Sequence, residues 1–258
     1  MTENLNIASP RTSSPVRLEG VRDASLSRGL WLVKWLLLVP HLLVLVFLWI
    51  AFVVLTVVAW FAILFTGRYP RAIFEFNVGV LRWSWRVAFY GYGALGTDRY
   101  PPFTLADVPD YPARLDVARP RQLSRGLALV KWWLLAVPHY LVLSFFFGAS
   151  STLVIGEADA TRTTVQTGGS LVGLLVLIAG VALLFTARYP VGIFDVVLGM
   201  HRWALRVVAY AALMTDVYPP FRLDQGGTEP ADVSLPPRPT DSRAGTAAPT
   251  PEPAGTPA

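Results

Sequence analysis

Two long stretches of the chain are almost entirely apolar. Residues 36–66 contain no Lys, Arg, Asp or Glu, and residues 171–187 are likewise uncharged. About 20 consecutive apolar residues are enough to cross the hydrocarbon core of a bilayer. The pattern therefore predicts an all-α integral membrane protein. The composition agrees with it, because 53% of the residues are hydrophobic and only 15% are charged.

The apolar stretches belong to two copies of one sequence pattern, residues 14–105 and 111–223, joined by a linker at 106–110. The copies share Ser27-Arg28-Gly29-Leu30 with Ser124-Arg125-Gly126-Leu127, Leu32-Val33-Lys34-Trp35 with Leu129-Val130-Lys131-Trp132, Pro40-His41 with Pro138-His139, and Asp98…Tyr100-Pro101-Pro102-Phe103 with Asp216…Tyr218-Pro219-Pro220-Phe221. We predict two tandem membrane repeats between a disordered segment, 1–13, and a disordered tail rich in Pro, Ala and Thr, 224–258.

The repeats differ most in their apolar middle. In repeat 1, 24 uncharged residues follow His41 before Thr66, whereas repeat 2 has 46 residues in the same interval. The extra stretch, 148–170, is polar, and a polar insertion is tolerated at a loop but not inside the hydrocarbon. The difference therefore predicts a turn at 49–51, which repeat 1 does not otherwise reveal.

Each repeat is then a transmembrane helical hairpin. The predicted hairpins pair 29–48 with 51–66 and 126–147 with 171–186. The alternative is an interfacial helix that ends at Pro40 and is followed by one membrane-spanning helix.

Basic residues occupy equivalent positions in both repeats. These positions are Arg28/Arg125, Lys34/Lys131, Arg68/Arg188, Arg82/Arg202 and Arg86/Arg206. An odd number of crossings per repeat would invert the second copy and place its basic residues outside, against the positive-inside rule. We therefore expect two crossings per repeat and two parallel repeats, related by an axis along the membrane normal, with both termini in the cytoplasm. The same rule explains the net charge of +5 without nucleic acid.

A third segment follows each hairpin, at 71–95 and 191–214. In it an acidic residue, a glycine and two arginines recur at i, i+4, i+7 and i+11, which is one narrow stripe of a helix. The stripes are Glu75, Gly79, Arg82 and Arg86, and Asp195, Gly199, Arg202 and Arg206. Such a helix is predicted to lie at the cytoplasmic interface, a third span being the alternative. Its arginines would bind anionic lipid headgroups or form ion pairs with the acidic residue of the stripe.

Short alternating stretches open and close each repeat. Residues 16–19 and Ala113–Val117 open the repeats, and residues 103–105 and 221–223 close them. We expect these stretches to pair as short β-strands at the cytoplasmic surface.

Only two of the 22 Lys and Arg residues are lysines, Lys34 and Lys131, and they hold equivalent positions. A lysine just inside a membrane helix is expected to extend its ammonium to the headgroups. The alternative is a specific contact with a lipid phosphate or with Glu75 and Asp195.

His41 and His139 each follow a proline at equivalent positions. An ionisable group inside a membrane is a candidate functional group. The structural alternative is a neutral imidazole that donates to the carbonyls released by the proline.

Signals for catalysis are missing from the sequence. The chain has no cysteine, which excludes thiol catalysis, and neither repeat pairs histidines or carboxylates at metal-ligand spacing. It also has no phosphate-binding loop and no nucleophile elbow. The sequence therefore predicts neither an enzyme nor a cofactor or metal site.

The combination of Leu-Val-Lys-Trp, Pro-His, Phe-Thr-Gly-Arg-Tyr-Pro and Thr-Asp-Arg-Tyr-Pro-Pro-Phe resembles a bacterial membrane family known as domain of unknown function 4389. The family is common in actinobacteria, and tandems of two such domains are familiar. The resemblance covers nearly all of 14–223. Repeat 2 departs from it by one extra residue between Lys131 and Pro138, by Ala187 in place of glycine, and by the polar insertion. It implies a plasma-membrane protein and lends no established activity.

The expected function is a non-enzymatic, lipid-interacting or scaffolding module of the bacterial plasma membrane. Its expected partner is the lipid bilayer with its anionic headgroups; oligomerisation and protein partners stay open. The alternative is a small transporter or channel with a polar site at the repeat interface. The candidate functional residues are Lys34, His41, Glu75, Arg82, Arg86, Lys131, His139, Asp195, Arg202 and Arg206.

Overall fold

The structure is a computed structural model that describes residues 14–148, 151–155, 163–167 and 169–226. The predicted disordered segment 1–13 lies outside the described residues, and so does the predicted tail 224–258 except for residues 224–226. Within these three, Asp224 is ordered, because it is paired with Arg206. The charged residues of the polar insertion, Glu157, Asp159 and Arg162, also lie outside the described residues.

The described chain is mostly helical. Its helices are α1 (Lys34–Thr66), α2 (Arg71–Tyr90), α3 (Arg125–Val130), α4 (Val137–Phe147), α5 (Leu171–Thr186) and α6 (Val191–Ala211). A single 3-10 turn, Leu30–Leu32, leads into α1, and a π-helical segment, Lys131–Leu135, joins α3 to α4. Its strands form two antiparallel pairs, β1 (Val16–Gly20) with β2 (Ala113–Val117) and β3 (Ser151–Ile155) with β4 (Thr163–Thr167).

The predicted turn at 49–51 is wrong, because α1 continues through it as one helix of 33 residues. The reason is local, since Trp-Ile-Ala offers no residue that favours a turn. The chain turns instead at Gly67, whose φ of 70° is left-handed, and α2 starts directly after Pro70. The helical hairpin of repeat 1 is therefore α1 packed against α2.

In repeat 2 the polar insertion interrupts the equivalent of α1. The segment Lys131–Leu135, α4 and α5 together match α1 in length, and the chain leaves this path at Gly148 and returns at Ser170. The two ends stay together, because the Ser170 hydroxyl donates to the Phe146 carbonyl at 3.0 Å. We call α1 the first rod, and α3, the π-helical segment, α4 and α5 the second rod.

Only α1 among the described helices is by itself long and apolar enough to cross a membrane. The paired helical stretches Arg125–Leu135 and Val137–Phe147 pass the same test together, but they are bent by 43°. The structure therefore contains one candidate membrane span, or two if this bent pair is one span.

The two rods run in opposite directions. The Trp60 indole, near the end of the first rod, donates to the Ala128 carbonyl at the start of the second rod, at 2.9 Å. The Trp31 ring, just before the first rod, lies against Gly180 near the end of the second rod. The two rods are therefore antiparallel, which does not fit the predicted pair of parallel membrane hairpins, because their equivalent helices would cross the bilayer in the same direction. Residues 97–123 cause this reversal. They begin beside the start of α1, where the Thr97 carbonyl accepts from Lys34, and they end beside the end of α1, where the Leu123 amide donates to the Gly67 carbonyl.

Helices α2 and α6 lie between the rods and a small sheet made of β1 and β2. The Arg82 guanidinium donates to the Leu115 carbonyl of β2, and the Arg202 guanidinium donates to the Leu18 carbonyl of β1. Leu18 and Leu115 are themselves partners in the strand register. The repeats are thus related by an approximate twofold axis through this pair and between the rods.

The strand prediction is confirmed for β1 and β2, which pair across the repeats. The closing stretches 103–105 and 221–223 are not strands. They lack a neighbouring strand, and instead pack aromatic and backbone groups against the histidines and arginines described below. Strands β3 and β4, within the insertion, were not predicted.

Candidate functional site

Each repeat contains a buried lysine site at the start of its rod. In repeat 1 the Lys34 ammonium donates to the Thr97 carbonyl at 2.7 Å and lies 2.9 Å from the Asp98 carboxylate. It also lies over the Tyr90 ring, 4.6 Å from its centroid. The Lys34 side chain is only 1% exposed, and the two polar groups that its ammonium contacts, Thr97 and Asp98, both follow α2.

Repeat 2 has the same arrangement. The Lys131 ammonium donates to the Thr215 carbonyl at 2.9 Å, lies 2.7 Å from the Asp216 carboxylate, and is 5.4 Å from the centre of the Tyr210 ring. Burial raises the pKa of Tyr90 and of Tyr210, so both phenols stay neutral beside their lysines. The expectation that the lysines extend to the headgroups is therefore wrong. The alternative partners, Glu75 and Asp195, are also wrong, because the lysines pair with Asp98 and Asp216.

His41 lies about two helical turns after Lys34 in the first rod and is held between aromatic side chains. The Trp83 indole donates to its Nδ1 at 3.0 Å, and its ring stacks on Phe103 at 3.9 Å between centroids. Because Nδ1 accepts a hydrogen bond, the neutral ring carries its proton on Nε2. Nε2 is buried and has no hydrogen-bond partner among the residues that the structure describes.

His139 repeats this geometry with Trp203 and Phe221, at 3.0 Å and 4.2 Å. Its Nε2 is likewise buried, with no hydrogen-bond partner in the described part of the chain. The structural alternative predicted that the imidazole donates to carbonyls released by the proline. In both repeats Nδ1 instead accepts a hydrogen bond from a tryptophan indole. The two sites are separate, and each histidine lies within its own repeat.

Sequence reasoning missed the partners of these residues. Asp98 and Asp216, Phe103 and Phe221, and Trp83 and Trp203 all belong to words that recur in both repeats. The available signal was that two lysines and two aspartates recur in matched positions in a chain otherwise supplied with arginine. Nothing in the spacing linked them, because Lys34 and Thr97 are separated by 63 positions.

The arginine stripes point into the protein. Arg86, Arg202 and Arg206 are at most 3% exposed. Arg86 donates to the carbonyls of Thr104 and Ala106, and Arg206 is paired with Asp224 at 2.6 Å. Arg82 is paired with Asp116 at 2.8 Å. Arg86 and Arg206 therefore hold the segment that follows their own helix. Arg82 and Arg202 hold the strand that opens the other repeat.

The acidic members of the stripes do not join these ion pairs. Glu75 is exposed and pairs with Arg71 at 2.7 Å, within the same helix. Asp195 is only half-buried near the start of α6, whereas Arg202 and Arg206 are buried further along. The predicted pairing of Glu75 with Arg82 and Arg86 is wrong, because the helix presents Glu75 to solvent before the arginines turn inward.

His201 is a third buried histidine, and its equivalent in repeat 1 is Leu81. It lies between the rings of Trp85 and Phe147, each 5.2 Å away between centroids. Its Nδ1 bonds to the Val197 carbonyl at 2.9 Å. Burial lowers the pKa of His201 from 6.5 to about 4, and the carbonyl opposes the shift only in part.

This shift makes His201 a source of acid sensitivity. Above pH 6.5 the ring is neutral whether the chain is folded or unfolded, but between pH 6.5 and 4 only the unfolded chain binds the proton. The wild-type chain should therefore lose up to about 3 kcal/mol of unfolding free energy through His201 as the pH falls from 6.5 to 4. We expect His201→Leu to abolish this part of the loss. Denaturant unfolding in detergent at pH 7 and at pH 4 measures it. Leu81→His is the matched control and should add acid sensitivity; an unchanged pH profile for His201→Leu would contradict the assignment.

Both rods expose large apolar side chains along their whole length. Those of the first rod are Trp35, Leu36, Leu37, Val39, Leu42, Leu43, Val44, Val46, Phe47, Ile50, Val53, Val54, Val57, Val58, Phe61 and Phe65. Those of the second rod are Leu129, Trp132, Trp133, Leu134, Val137, Tyr140, Leu141, Phe145, Phe147, Leu174, Leu177, Ile178, Val181 and Phe185. We call this surface the apolar belt. It is far larger than the patches that soluble monomers expose.

A cavity of about 580 Å³ lies between the second half of the first rod and the first half of the second rod. Its walls include Phe52 and Trp60 of the first rod, Tyr140 and Leu143 of the second, and Leu213 after α6. The walls are almost wholly apolar. Lys34, His41, Lys131 and His139 do not line this cavity.

Among the described residues, no cluster of His, Asp and Glu has the composition of a metal site. Comparisons with curated proteins and with solved structures found no match. A family model described as domain of unknown function DUF4389 matches residues 28–104 and 164–222, one segment in each repeat. These segments cover more than half of the chain. They contain Lys34, Asp98 and Asp216, whereas Lys131 lies between them. The chain belongs to the DUF4389 family, with two copies of its pattern in tandem.

Proposed function

We propose that the protein is a non-enzymatic module of the bacterial plasma membrane that embeds in lipid through its apolar belt and presents a folded polar layer to the cytoplasm. The observation that carries the proposal is the belt itself. Phe47, Phe61 and Phe65 are 72%, 50% and 76% exposed along a helix of 33 residues. Burying so much apolar surface in hydrocarbon is strongly favourable, and leaving it in water is not.

The polar side chains support this role in a complementary way. The buried lysines and arginines bond to carboxylates and carbonyls of the same chain. These internal acceptors offset much of the cost of holding the charges away from water, which helps to keep a compact polar layer intact beside lipid. A scaffolding module needs such a layer as the surface it offers to other molecules.

We propose that anionic headgroups contact the exposed arginines at the ends of the rods. The arginines of the stripes are not the proposed contacts, because most of them are buried. Arg68 follows the first rod and Arg188 follows the second, and both are exposed. A basic residue at the surface of an anionic membrane contributes about 1 kcal/mol of binding. These two equivalent arginines are therefore the proposed headgroup contacts.

Membrane association and lipid preference test the proposal together. We expect the full chain to stay with membranes after alkaline carbonate washing, and the purified chain to float with vesicles of phosphatidylcholine. Adding phosphatidylglycerol should strengthen flotation. Changing both Arg68 and Arg188 to Gln should weaken binding to the anionic vesicles roughly thirtyfold, from about 1 kcal/mol per arginine.

The matched control changes Arg119 and Arg222, exposed arginines on the sheet side, to Gln. It removes the same charge and should leave the anionic preference nearly unchanged. Release of the wild-type chain by carbonate would overturn membrane embedding. Equal losses in the two double variants would overturn the headgroup role of Arg68 and Arg188.

The transporter alternative required Lys34, His41, Lys131 and His139 to face a shared polar cavity. Each lysine and histidine is instead packed inside its own repeat, and the cavity between the repeats is apolar. No observation favours transport over lipid interaction.

A further inference from the structure

The first rod is too long to cross the hydrocarbon core at a usual tilt. Its 33 residues, at a rise of 1.5 Å each, extend about 50 Å. The hydrocarbon core is about 30 Å thick. To cross it with both ends at the interfaces, a straight rod would tilt by more than 50°, beyond the usual range of about 0–40°.

The polar layer lies level with the middle of the rod. Trp49, near the midpoint of α1, donates through its indole to the Ser84 hydroxyl of α2 at 3.1 Å. Two positions before Ser84, Arg82 is paired with Asp116, whose side chain is 42% exposed. If α1 crossed the membrane, this exposed charge would lie near the bilayer centre, where charged groups are costly.

The polar insertion of repeat 2 also departs from a rod midpoint. The chain leaves the second rod at Gly148 and rejoins it at Ser170, between α4 and α5. Phe146, beside the break, contacts Trp203 in the middle of α6. In a crossing rod the polar chain would emerge within the hydrocarbon, where irregular backbone is not tolerated.

Basic residues are exposed at both ends of the paired rods. Because the rods are antiparallel, Arg28 and Arg188 lie at one end, and Arg68 and Arg125 lie at the other. Crossing rods would place these two pairs on opposite sides of the membrane. The positive-inside rule disfavours that distribution.

We infer that both rods lie along the plane of a single leaflet instead of crossing the bilayer, with the β1–β2 sheet directed toward the cytoplasm. This inference rests on the proposed function and names its partner, the hydrocarbon of the cytoplasmic leaflet. The approximate twofold axis then runs along the membrane normal. All the arginines at the rod ends reach the same headgroup layer, and no charged group lies at the bilayer centre.

Two matched cysteine variants test the arrangement in the full chain, which has no cysteine of its own. Gly29 and Gly126 are equivalent positions at the starts of the two rods, and a Cβ at either meets open space. Because the rods are antiparallel, these residues lie at opposite ends of the paired rods. With a membrane-impermeant maleimide, we expect Gly29→Cys and Gly126→Cys both to react in inverted vesicles and neither to react in intact spheroplasts.

Depth along the first rod gives a second readout. Leu43, Phe47, Ile50, Val54 and Phe61 share one exposed face of α1, and about 27 Å separates the first from the last. Spin labels at single cysteines in these positions should have one common depth, measured from collisions with oxygen and with a water-soluble nickel chelate. A crossing helix would instead give a depth profile that passes through a maximum near its middle.

The outcomes separate the two proposals. Labelling of Gly29→Cys and Gly126→Cys from opposite faces, or a depth maximum near Ile50, would overturn the in-plane arrangement while leaving membrane embedding intact. Release of the wild-type chain by carbonate would overturn the proposed function itself. One common depth together with labelling from the cytoplasmic face alone supports the arrangement.

Discussion

Replacing Asp98 by Ala is expected to lower the free energy of unfolding by about 3–5 kcal/mol, the cost of breaking a buried ion pair. The Lys34 side chain is 1% exposed and would keep only the Thr97 carbonyl as a hydrogen-bond acceptor. Asp98 also accepts from the Ser27 amide, so the entry into the first rod would loosen as well. Asp216→Ala should have a similar effect on repeat 2, because Asp216 holds Lys131 and the Ser124 amide in the same way.

Denaturant unfolding in mild detergent, followed by tryptophan fluorescence, measures this loss. Glu75→Ala is the control, because it breaks an ion pair whose partners are both exposed, and such pairs contribute about 0–1 kcal/mol. Lys34→Met combined with Asp98→Ala should recover much of the stability, since it removes the unpaired charge. A loss with Asp98→Ala no larger than with Glu75→Ala would contradict the assigned role of the pair.

His41→Ala is the second large effect expected, a loss of about 3–5 kcal/mol, by comparison with truncation of other buried aromatic rings. The ring is fully buried, stacked on Phe103 and bonded to the Trp83 indole. His41→Phe keeps a stacking ring but leaves the indole N–H unpaired, which costs about 1–3 kcal/mol. His41→Asn can place its amide oxygen near the former Nδ1.

These three variants separate packing from hydrogen bonding in one unfolding series. Leu42→Ala is the control, because Leu42 is the next residue and is 51% exposed. It should cost much less than His41→Ala. If His41→Phe were as stable as the wild type, the Trp83 bond would make no net contribution. The same series at His139 should agree, because Trp203 and Phe221 reproduce the contacts.

Local patterns predicted several elements well. The positions of β1 and β2 follow from short alternating stretches, and the ends of α1 and α5 follow from the words at Thr66 and Thr186. The start of α2 follows from Pro70, which cannot continue a helix. In each case the information lies within a few residues of the element, so sequence reasoning could reach it.

The hairpin prediction failed for an instructive reason. The insertion predicts a break at the positions equivalent to 49–51, and repeat 2 does break there, between α4 and α5. The same argument predicts a turn in repeat 1. In repeat 1 the helix is simply uninterrupted, and in repeat 2 the ends of the break stay bonded through Ser170. A homologous insertion marks where a chain can be opened, and it does not require a turn where the insertion is missing.

The candidate site was predicted only in part. Lys34, His41 and their equivalents were singled out because they recur as ionisable groups in apolar surroundings, and all four are buried. Their partners come from the segments after α2 and α6, which are distant in sequence. The arginine stripes show the same limit, because periodicity identifies a common face but not whether lipid or protein covers it.

The sequence by itself determined the duplication, the apolar segments, the absence of thiol chemistry and the identity of the recurring charged residues. These properties depend on composition and on local periodicity. Only the tertiary structure decided that the rods are antiparallel, that Lys34 pairs with Asp98, and that Arg82 and Arg202 hold opposite strands of one sheet. Those features depend on contacts between distant segments, whose free energy is gained only when the two repeats pack together.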